Sequence, residues 1–300
     1  TVSDVSYGMR RFAVGLAKKA ILANGCASIA DALLPGGIQA ALSASGQMLW
    51  LGMFAYMLQI YLDFSAYSDM AIGMGRMVGF HYLENFNYPY LAGSVQDFWR
   101  RWHISLSSFF RDYVYIPLGG SRKGQGRTIL NLLIVWALTG FWHGASWNFL
   151  LWGLYFFVFL VIERLFLRKV IEKNVVTRLI GHLYALAVVF FGWILFRFTD
   201  LSLMGEVLKG MFGGHAGASP LPASTSFVNN VFFLVFSVIA VTPVGKALHA
   251  FLTERASISN RRWFTIVIRV GEVILPAALL VLSVLALIGD SYNPFLYFRF

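Results

Sequence analysis

The segment from Thr128 to Glu163 constrains the fold of this chain more than any other stretch. Its roughly 35 residues are nearly all apolar, and as one α-helix they would extend about 50 Å, against about 30 Å for the hydrocarbon core of a bilayer. The segment is too long for one simple span and short for two complete ones. Basic residues flank it on both sides, which predicts that both flanks lie on the same side of the membrane. We therefore expect a hairpin or broken helix with His143, bracketed by Gly140 and Gly144, at its inner bend.

Composition places the whole chain among polytopic membrane proteins of the all-α class. Of the 300 residues, 58% are hydrophobic and 13% are charged, whereas an ordinary soluble domain carries about 25% charged residues. The net charge of +10 fits Lys and Arg concentrated in cytoplasmic loops. Nucleic-acid binding is the rival interpretation of that charge, but no basic stripe on a soluble module supports it. The single cysteine, Cys26, excludes an internal disulfide framework and a cysteine-based metal site.

Hydrophobic and basic patterns predict the remaining elements. Residues 8–34 alternate basic pairs with Ala, Leu and Ile, which indicates an amphipathic interfacial helix or the cytoplasmic end of a span. Residues 96–113 predict a second amphipathic helix, with aromatic residues on one side and arginines on the other. The apolar run at 47–63 would nearly cross a bilayer, and further spans are expected at 179–198, 227–242 and 266–288, the last kinked at Pro276. A turn is expected at 85–95, and loops at 213–226 and 253–263.

His143 is the strongest candidate for chemistry, since an imidazole inside a membrane-embedded segment is costly and needs a reason. A neutral imidazole could act as a general base towards a hydroxyl or a thiol. The alternative is a histidine that hydrogen-bonds between helices. His103 lies on the predicted amphipathic helix, where a structural role beside Trp99 and Trp102 is as plausible as a catalytic one.

Two other polar groups of residues allow a functional and a structural interpretation. Polar side chains near the end of the span at 47–63 could line a polar path, or could hydrogen-bond neighbouring helices: these are Asp63, Ser65, Tyr67, Ser68 and Asp69. Charged side chains on and after the amphipathic helix could form an ion-pair network, or a basic mouth for a phosphate-bearing donor: these are Asp97, Arg100, Arg101, Arg111 and Asp112.

Several site classes lack their sequence signatures. The loop at 119–124 has neither the spacing nor the strand–helix context of a P-loop. The six histidines contain no closely spaced ligand pair, and only His143 and His182 are candidates for a haem, which we consider unsupported. No G-x-S-x-G nucleophile motif occurs. We expect neither a metal nor a bound cofactor.

Five runs of the sequence form a recognisable set: Asp63–Gly73, Glu84–Asn87, Asp97–Ser107, Arg111–Gly120 and Phe141–Gly144. Together they resemble the membrane-bound O-acyltransferase (MBOAT) family. Within that family they are most similar to the membrane subunits that O-acetylate bacterial polysaccharides such as alginate. The strongest resemblance covers residues 50–165.

The resemblance implies a fold and two catalytic positions. Its fold would be a ring of transmembrane helices around a tunnel, with amphipathic interfacial helices. His143 stands at the position of the family's invariant catalytic histidine, and His103 at its second prominent position. The resemblance also implies an acyl donor that arrives from the cytosol and an extracytoplasmic SGNH-type partner. We expect one MBOAT-type domain over residues 1–300, multi-pass in the bacterial inner membrane, without the family's N-terminal spans because the chain begins at Thr1.

The resulting hypothesis is an O-acetyltransferase. An acetyl group would move from a cytosolic thioester, acetyl-CoA, to hydroxyls of alginate or a similar polysaccharide, directly or through the partner. Alternatives are D-alanyl or peptidoglycan acyl transfer, or a transporter or scaffold without chemistry. The bilayer and the polysaccharide are the other expected partners, with no nucleic acid. Substrate or donor contacts are expected from Asp63, Ser65, Tyr67, Asp69, Trp99, Arg100, Arg101, Arg111 and Trp142.

Overall fold

The computed structural model describes residues 1–171, 173–215, 223–258, 262–288 and 295, and these residues form helices and turns with no strand. Three π-helical segments and one 3-10 turn interrupt the α-helices, at Lys18–Ala23, Arg111–Tyr115, Glu163–Leu167 and Pro89–Leu91. In chain order the α-helices are α1 (Val2–Ala17), α2 (Asn24–Leu33), α3 (Ile38–Ser43), α4 (Gly46–Met77), α5 (Val95–Arg101), α6 (Ile104–Phe110), α7 (Gln125–His143), α8 (Trp147–Ile162), α9 (Arg168–Ile171), α10 (Val175–Arg197), α11 (Leu201–Met211), α12 (Ala223–Ala240), α13 (Val244–Ile258) and α14 (Arg262–Ile288).

The described helices confirm a polytopic helical membrane protein. Four are long and apolar enough to cross a bilayer, at Val2–Leu33, Trp147–Leu167, Val175–Arg197 and Arg262–Ile288. Ser224–Ala240 and Val244–Ile258, bent by 67° at a short break, could make a fifth span. Only 6% of the most apolar window of α14 is buried, which suits a helix that faces lipid. The predicted span at 47–63 lies in α4, which is not among these helices.

The chain divides into two compact units, each discontinuous in sequence. The first unit contains residues 1–29 and 58–84 and the described residues from 228 to 295. The second contains residues 30–57 and the described part of 85–227. The single domain over the whole chain, and the ring of helices around a tunnel, therefore stay predictions.

In the first unit, α1 packs against the second half of α4 at close backbone distance. A Cβ atom added at Gly8 would lie 2.5 Å from the carbonyl oxygen of Gly73, and one at Gly15 would lie 2.9 Å from that of Ala66. These pairs run in opposite directions along the two helices, so the helices are antiparallel. Small residues that let backbones approach are typical of helix contacts in membranes.

The basic residues of α1 and the π-segment after it face carboxylates of the same unit. Lys19 Nζ lies 2.6 Å from Asp63 Oδ1, Lys18 Nζ lies 2.6 Å from Asp69 Oδ2, and Arg11 Nη2 lies 2.9 Å from Asp69 Oδ1. These ion pairs show that the basic side chains bind carboxylates of the same unit, and Val2–Leu33 is long and apolar enough to cross a bilayer. The paired carboxylates compensate the charges, so the helix can be one continuous apolar element with its basic groups turned inward.

In the second unit, α7 and α8 form the hairpin that the long apolar segment predicts. A Cβ atom added at Gly140 would lie 2.6 Å from the carbonyl oxygen of Phe149. A Cβ atom added at Gly153 would overlap the carbonyl oxygen of Trp136. The pairing is antiparallel, and only three residues connect the two helices. Tyr155 Oη donates to the carbonyl oxygen of Val188 at 2.8 Å, which joins α8 to α10.

Three predicted boundaries need correction or restriction. The helix predicted over 96–113 is broken at His103, where the backbone has a φ of 45° and a left-handed conformation. The loop predicted at 253–263 is helical up to Ile258, where α13 ends, and residues 259–261 lie outside the described part. Of the loop predicted at 213–226, residues 216–222 also lie outside it, and α12 already begins at Ala223.

The buried pair of Lys19 and Asp63 should dominate the stability of the first unit. Asp63→Ala leaves a buried ammonium without its carboxylate, and we expect it to lower the free energy of unfolding by about 3–5 kcal/mol. Asp31→Ala is the control, because Asp31 pairs with Arg197 while 56% exposed and should cost at most about 1 kcal/mol. Thermal unfolding in detergent measures both variants. Equal losses in the two would contradict this ranking.

Candidate active site

His143 is the last residue of α7, and a glycine ends the helix there. Gly144 has a φ of 157°, and its N–H donates to the carbonyl oxygen of Phe141 at 3.2 Å. The chain then enters α8 through Ser146, whose hydroxyl donates to Oδ1 of Asn148. The Asn148 amide donates to the carbonyl oxygen of Leu195 at 3.2 Å, so the start of α8 is tied to α10. The imidazole is therefore fixed at the bend of the hairpin.

Aromatic rings surround the His143 imidazole on several sides. The ring centroids of Trp142 and Trp152 each lie 4.9 Å from it, and that of Phe196 lies 5.1 Å away, all nearly perpendicular. Phe149 lies at 6.2 Å. Among the described residues, none forms a hydrogen bond with the His143 side chain. The rings fix the orientation of the imidazole by packing and leave its nitrogens for a ligand.

His103 is held by hydrogen bonds instead. It is the N-cap residue of α6, and its Nδ1 lies 3.2 Å from Asn85 Oδ1. The backbone N–H of Ser105 donates to the same atom at 3.1 Å, and the Ser105 hydroxyl at 2.9 Å, so this atom is an acceptor oxygen. Nδ1 of His103 therefore donates, and the neutral ring carries its lone pair on Nε2.

Both histidines line one cavity in the second unit. Its volume is about 700 Å³, and its walls come from α5, α6, α7, the π-segment after α8, and the start of α10. Along α7 the lining runs from Leu132 to His143, which is about 17 Å at the rise of an α-helix. Trp99 forms part of the wall, packed at 4.8 Å against both Trp136 and Phe156. The cavity is thus long, aromatic in its walls, and open to the two imidazoles.

Charges of both signs line the cavity. The arginines are Arg100, Arg111, Arg164 and Arg178, and the carboxylates are Asp97 and Glu163. Arg111 hydrogen-bonds the neighbouring carboxylate at 2.7 Å, and that hydrogen bond lowers the pKa of Asp112. Within the described part of the chain, no carboxylate lies within ion-pair distance of Arg100, Arg164 or Arg178.

Some residues predicted for substrate or donor contacts lie elsewhere. Asp63, Ser65, Tyr67 and Asp69 belong to the first unit, where both carboxylates are bound by basic residues of the same unit. In the second unit, Arg101 pairs with Asp97 at 3.0 Å and does not line the cavity. The Trp142 ring contacts both imidazoles, at 5.9 Å from His103 and 4.9 Å from His143. The cavity brings together His103, His143, Trp99, Arg100 and Arg111.

Sequence reasoning assigned no role to four residues of the site. Arg164 is one of the basic residues that flank the long apolar segment, Arg178 carries no sequence signal, and Asn85 belongs to a predicted turn and to one of the runs that carry the family resemblance. Glu163 ends the long apolar segment, and a carboxylate there is as costly inside a membrane as the imidazole of His143, so the sequence does contain a signal that could identify it. Among the described residues, no group of three or more His, Cys, Asp or Glu side chains could hold a metal ion.

The conformation of Gly144 should be essential to the position of His143. A Cβ atom there would lie 2.7 Å from the Phe149 ring, and a φ of 157° is unfavourable for alanine. We expect Gly144→Ala to lower the free energy of unfolding by about 1–3 kcal/mol, measured by thermal unfolding. Gly126→Ala, at the start of the same helix with open space around it, should be neutral or stabilising. A destabilised Gly126→Ala variant beside an unchanged Gly144→Ala variant would contradict the assignment.

Comparison with known proteins gives this site a family. Residues 3–206 match the membrane-bound O-acyltransferase family. The chain is 37% identical to the probable alginate O-acetylase AlgI of Azotobacter vinelandii and 36% identical to that of Pseudomonas putida. Both alignments include the whole of the present chain. It is 33% identical, over 99% of its length, to a peptidoglycan O-acetyltransferase of Helicobacter pylori. The chain spans 63%, 62% and 57% of these relatives, respectively. With its two histidines in one cavity and this match, the chain belongs to the membrane-bound O-acyltransferase family.

Proposed function

We propose that this chain carries the acyl-transfer site of a polysaccharide O-acetyltransferase. The observation that supports the proposal most is one cavity of about 700 Å³ that reaches both His103 and His143 and carries arginines without carboxylate partners among the described residues. A general base can activate a hydroxyl for attack on a thioester, and a basic surface can bind the phosphates of the donor. The reaction would use no bound metal or cofactor.

In the proposed reaction, His143 is the general base. Its neutral imidazole accepts the proton of the acceptor hydroxyl while the oxygen attacks the thioester carbonyl. The tetrahedral intermediate then collapses, the C–S bond breaks, and the imidazolium returns its proton to the departing thiolate. Ester and free thiol are the products, so atoms and charge balance.

His103 orients the acceptor in this proposal. Because its Nδ1–H is committed to Asn85, the neutral ring can accept a hydrogen bond at Nε2 but cannot donate one there. This favours contact with the hydroxyl of the acceptor over polarisation of the thioester carbonyl. Trp142 contacts both rings and so joins the two imidazoles by packing.

The donor is proposed to be acetyl-CoA, which reaches the cavity from the cytosolic side of the bacterial inner membrane. Arg100, Arg164 and Arg178 come from three different elements and present guanidinium groups to the same cavity. Such groups bind phosphate oxygens in bidentate fashion. The aromatic part of the cavity wall suits the less polar arm of a thioester donor.

The acceptor is proposed to be a polysaccharide hydroxyl, with alginate first and peptidoglycan second. The names of the relatives support both, since each type aligns with essentially the whole chain. Teichoic acid D-alanyltransferase of Bacillus subtilis is 30% identical over only 40% of the chain, which makes D-alanyl transfer a weaker candidate. An extracytoplasmic SGNH-type partner would complete delivery to the polymer.

Replacement of the proposed base should remove turnover without removing the protein from the membrane. We expect His143→Ala to lower the rate of acetyl-CoA-dependent transfer by about 10²–10⁴-fold, because general-base action contributes that much. Release of free thiol and acetylation of the polymer are the measurements. His249→Ala is the control, since that exposed histidine bonds Glu272 in the first unit. Activity of His143→Ala equal to that of the unchanged protein would refute the assignment.

Replacement of the cavity arginines should weaken donor binding rather than chemistry. We expect Arg164→Ala and Arg178→Ala each to raise the KM for acetyl-CoA by about tenfold. A charge-assisted hydrogen bond contributes about 1.5–3 kcal/mol, and the lower end applies here because both arginines are exposed to solvent screening. The KM should also rise with salt concentration. Arg262→Ala, an exposed arginine of α14, is the control. An unchanged KM in both cavity variants would contradict the proposed donor site.

A further inference from the structure

Glu163 contacts the helix that carries much of the site. Its carboxylate accepts the backbone N–H of Val95 at 2.5 Å and that of Gln96 at 2.9 Å. These are the first two N–H groups of α5, and the third, of Asp97, bonds the Ser94 hydroxyl at 3.0 Å. Every N–H of the first three residues of α5 therefore has a side-chain acceptor, two of them supplied by one residue 67 or 68 positions away.

Because Glu163 is buried, its carboxylate needs these hydrogen bonds from α5. The residue is 4% exposed, and a buried carboxylate is costly unless hydrogen bonds and favourable dipoles compensate its charge. The N-terminus of a helix provides both, since its N–H groups point at the anion and its dipole is positive there. Among the residues whose side chains the structure describes, no Lys or Arg lies within ion-pair distance of Glu163, and the N-terminus of α5 provides two hydrogen bonds to its carboxylate.

A second contact holds the same segment from α10. His182 Nδ1 lies 2.9 Å from the carbonyl oxygen of Ala92 and therefore donates to it. A Cβ atom at Gly181 would lie 2.7 Å from the carbonyl oxygen of Gly93, so the two backbones are in close contact. The chain that enters α5 is thus fixed from two sides, by the π-segment after α8 and by α10.

The residues that α5 presents explain why its position matters. Trp99 and Arg100 line the cavity, and His103 follows two residues after the helix ends. A displacement of α5 would move one wall, one donor contact and one imidazole together. His143 belongs to the α7–α8 hairpin and would keep its place.

We infer that Glu163 is a positioning residue, which sets the distance from His103 and Arg100 to His143 by anchoring the N-terminus of α5. The inference rests on the proposed function, because it assigns those residues to acceptor and donor. Glu163 touches no reacting atom in this account. Its carboxylate acts through the backbone of α5.

Kinetics separate this role from catalysis and from simple stability. Glu163→Ala should lower kcat at least tenfold and also raise the KM for acetyl-CoA, because α5 carries contacts to both substrates. Glu163→Gln retains one acceptor oxygen and should recover a large part of both parameters. Glu206→Ala is the control, since that carboxylate pairs with Lys209 on α11 and does not line the cavity. A loss of folded protein with unchanged kcat and KM in the remaining fraction would overturn the inference.

A double-mutant cycle tests the route of the effect. If Glu163 acts through α5, the rise in KM caused by Arg100→Ala should not add to that caused by Glu163→Ala, and the double variant should resemble the worse single variant. Additive effects would show that Glu163 acts elsewhere.

Hydrogen exchange of residues 94–103 provides a measurement that does not depend on acetyl transfer. The exchange rate should increase in Glu163→Ala, return partly towards the original rate in Glu163→Gln, and stay unchanged in Glu206→Ala. If exchange responds as expected while His143→Ala stays active, the proposed function fails and the anchor stands; if exchange is unchanged in Glu163→Ala, the anchor fails.

Discussion

The close contact between the backbones of α7 and α8 is the interaction on which the site depends. Gly140 and Gly153 allow the helices to approach until a single methyl group would not fit. At that distance only a three-residue connection is needed, so His143 at the end of α7 lies beside the first turns of α8 and their aromatic side chains. The packing of small residues thereby determines where the imidazole lies, before any hydrogen bond contributes.

The two histidines show two different ways to fix an imidazole. His143 is held by the edges and faces of aromatic rings, which constrain the plane of the ring but assign no proton to either nitrogen. His103 is held by Asn85, which assigns the proton to Nδ1 and places the residue at a left-handed bend that few side chains tolerate. A ring without a fixed tautomer suits a group that both takes and returns a proton. A ring with a fixed tautomer suits a group that only orients its partner.

Much of the architecture could be predicted from the sequence, because apolar periodicity and the length of Thr128–Glu163 report burial directly. The hairpin and the position of His143 follow from them. The break at His103 could not be predicted, since nothing local opposes a helix through 96–113; the bonds of Asn85, 18 residues earlier, stabilise the bend. The same applies to Lys18 and Lys19, whose partners lie on α4. A charged residue in an apolar segment shows that its burial would be unfavourable, but only the folded structure shows which partner compensates the charge.

The π-helical turn at Glu163–Leu167 has a consequence for the span that contains it. A wider turn adds one residue to the helix without breaking its continuity, and one residue corresponds to about 100° of rotation. The side chains after the turn are thus out of phase with the stripe that α8 presents before it. Leu160, Glu163 and Arg164 line the cavity at the spacing of a single helical face, so the phase of α8 is kept as far as the cavity. The inserted residue changes that phase only beyond it, so the same continuous element presents a different side to its surroundings after Leu167.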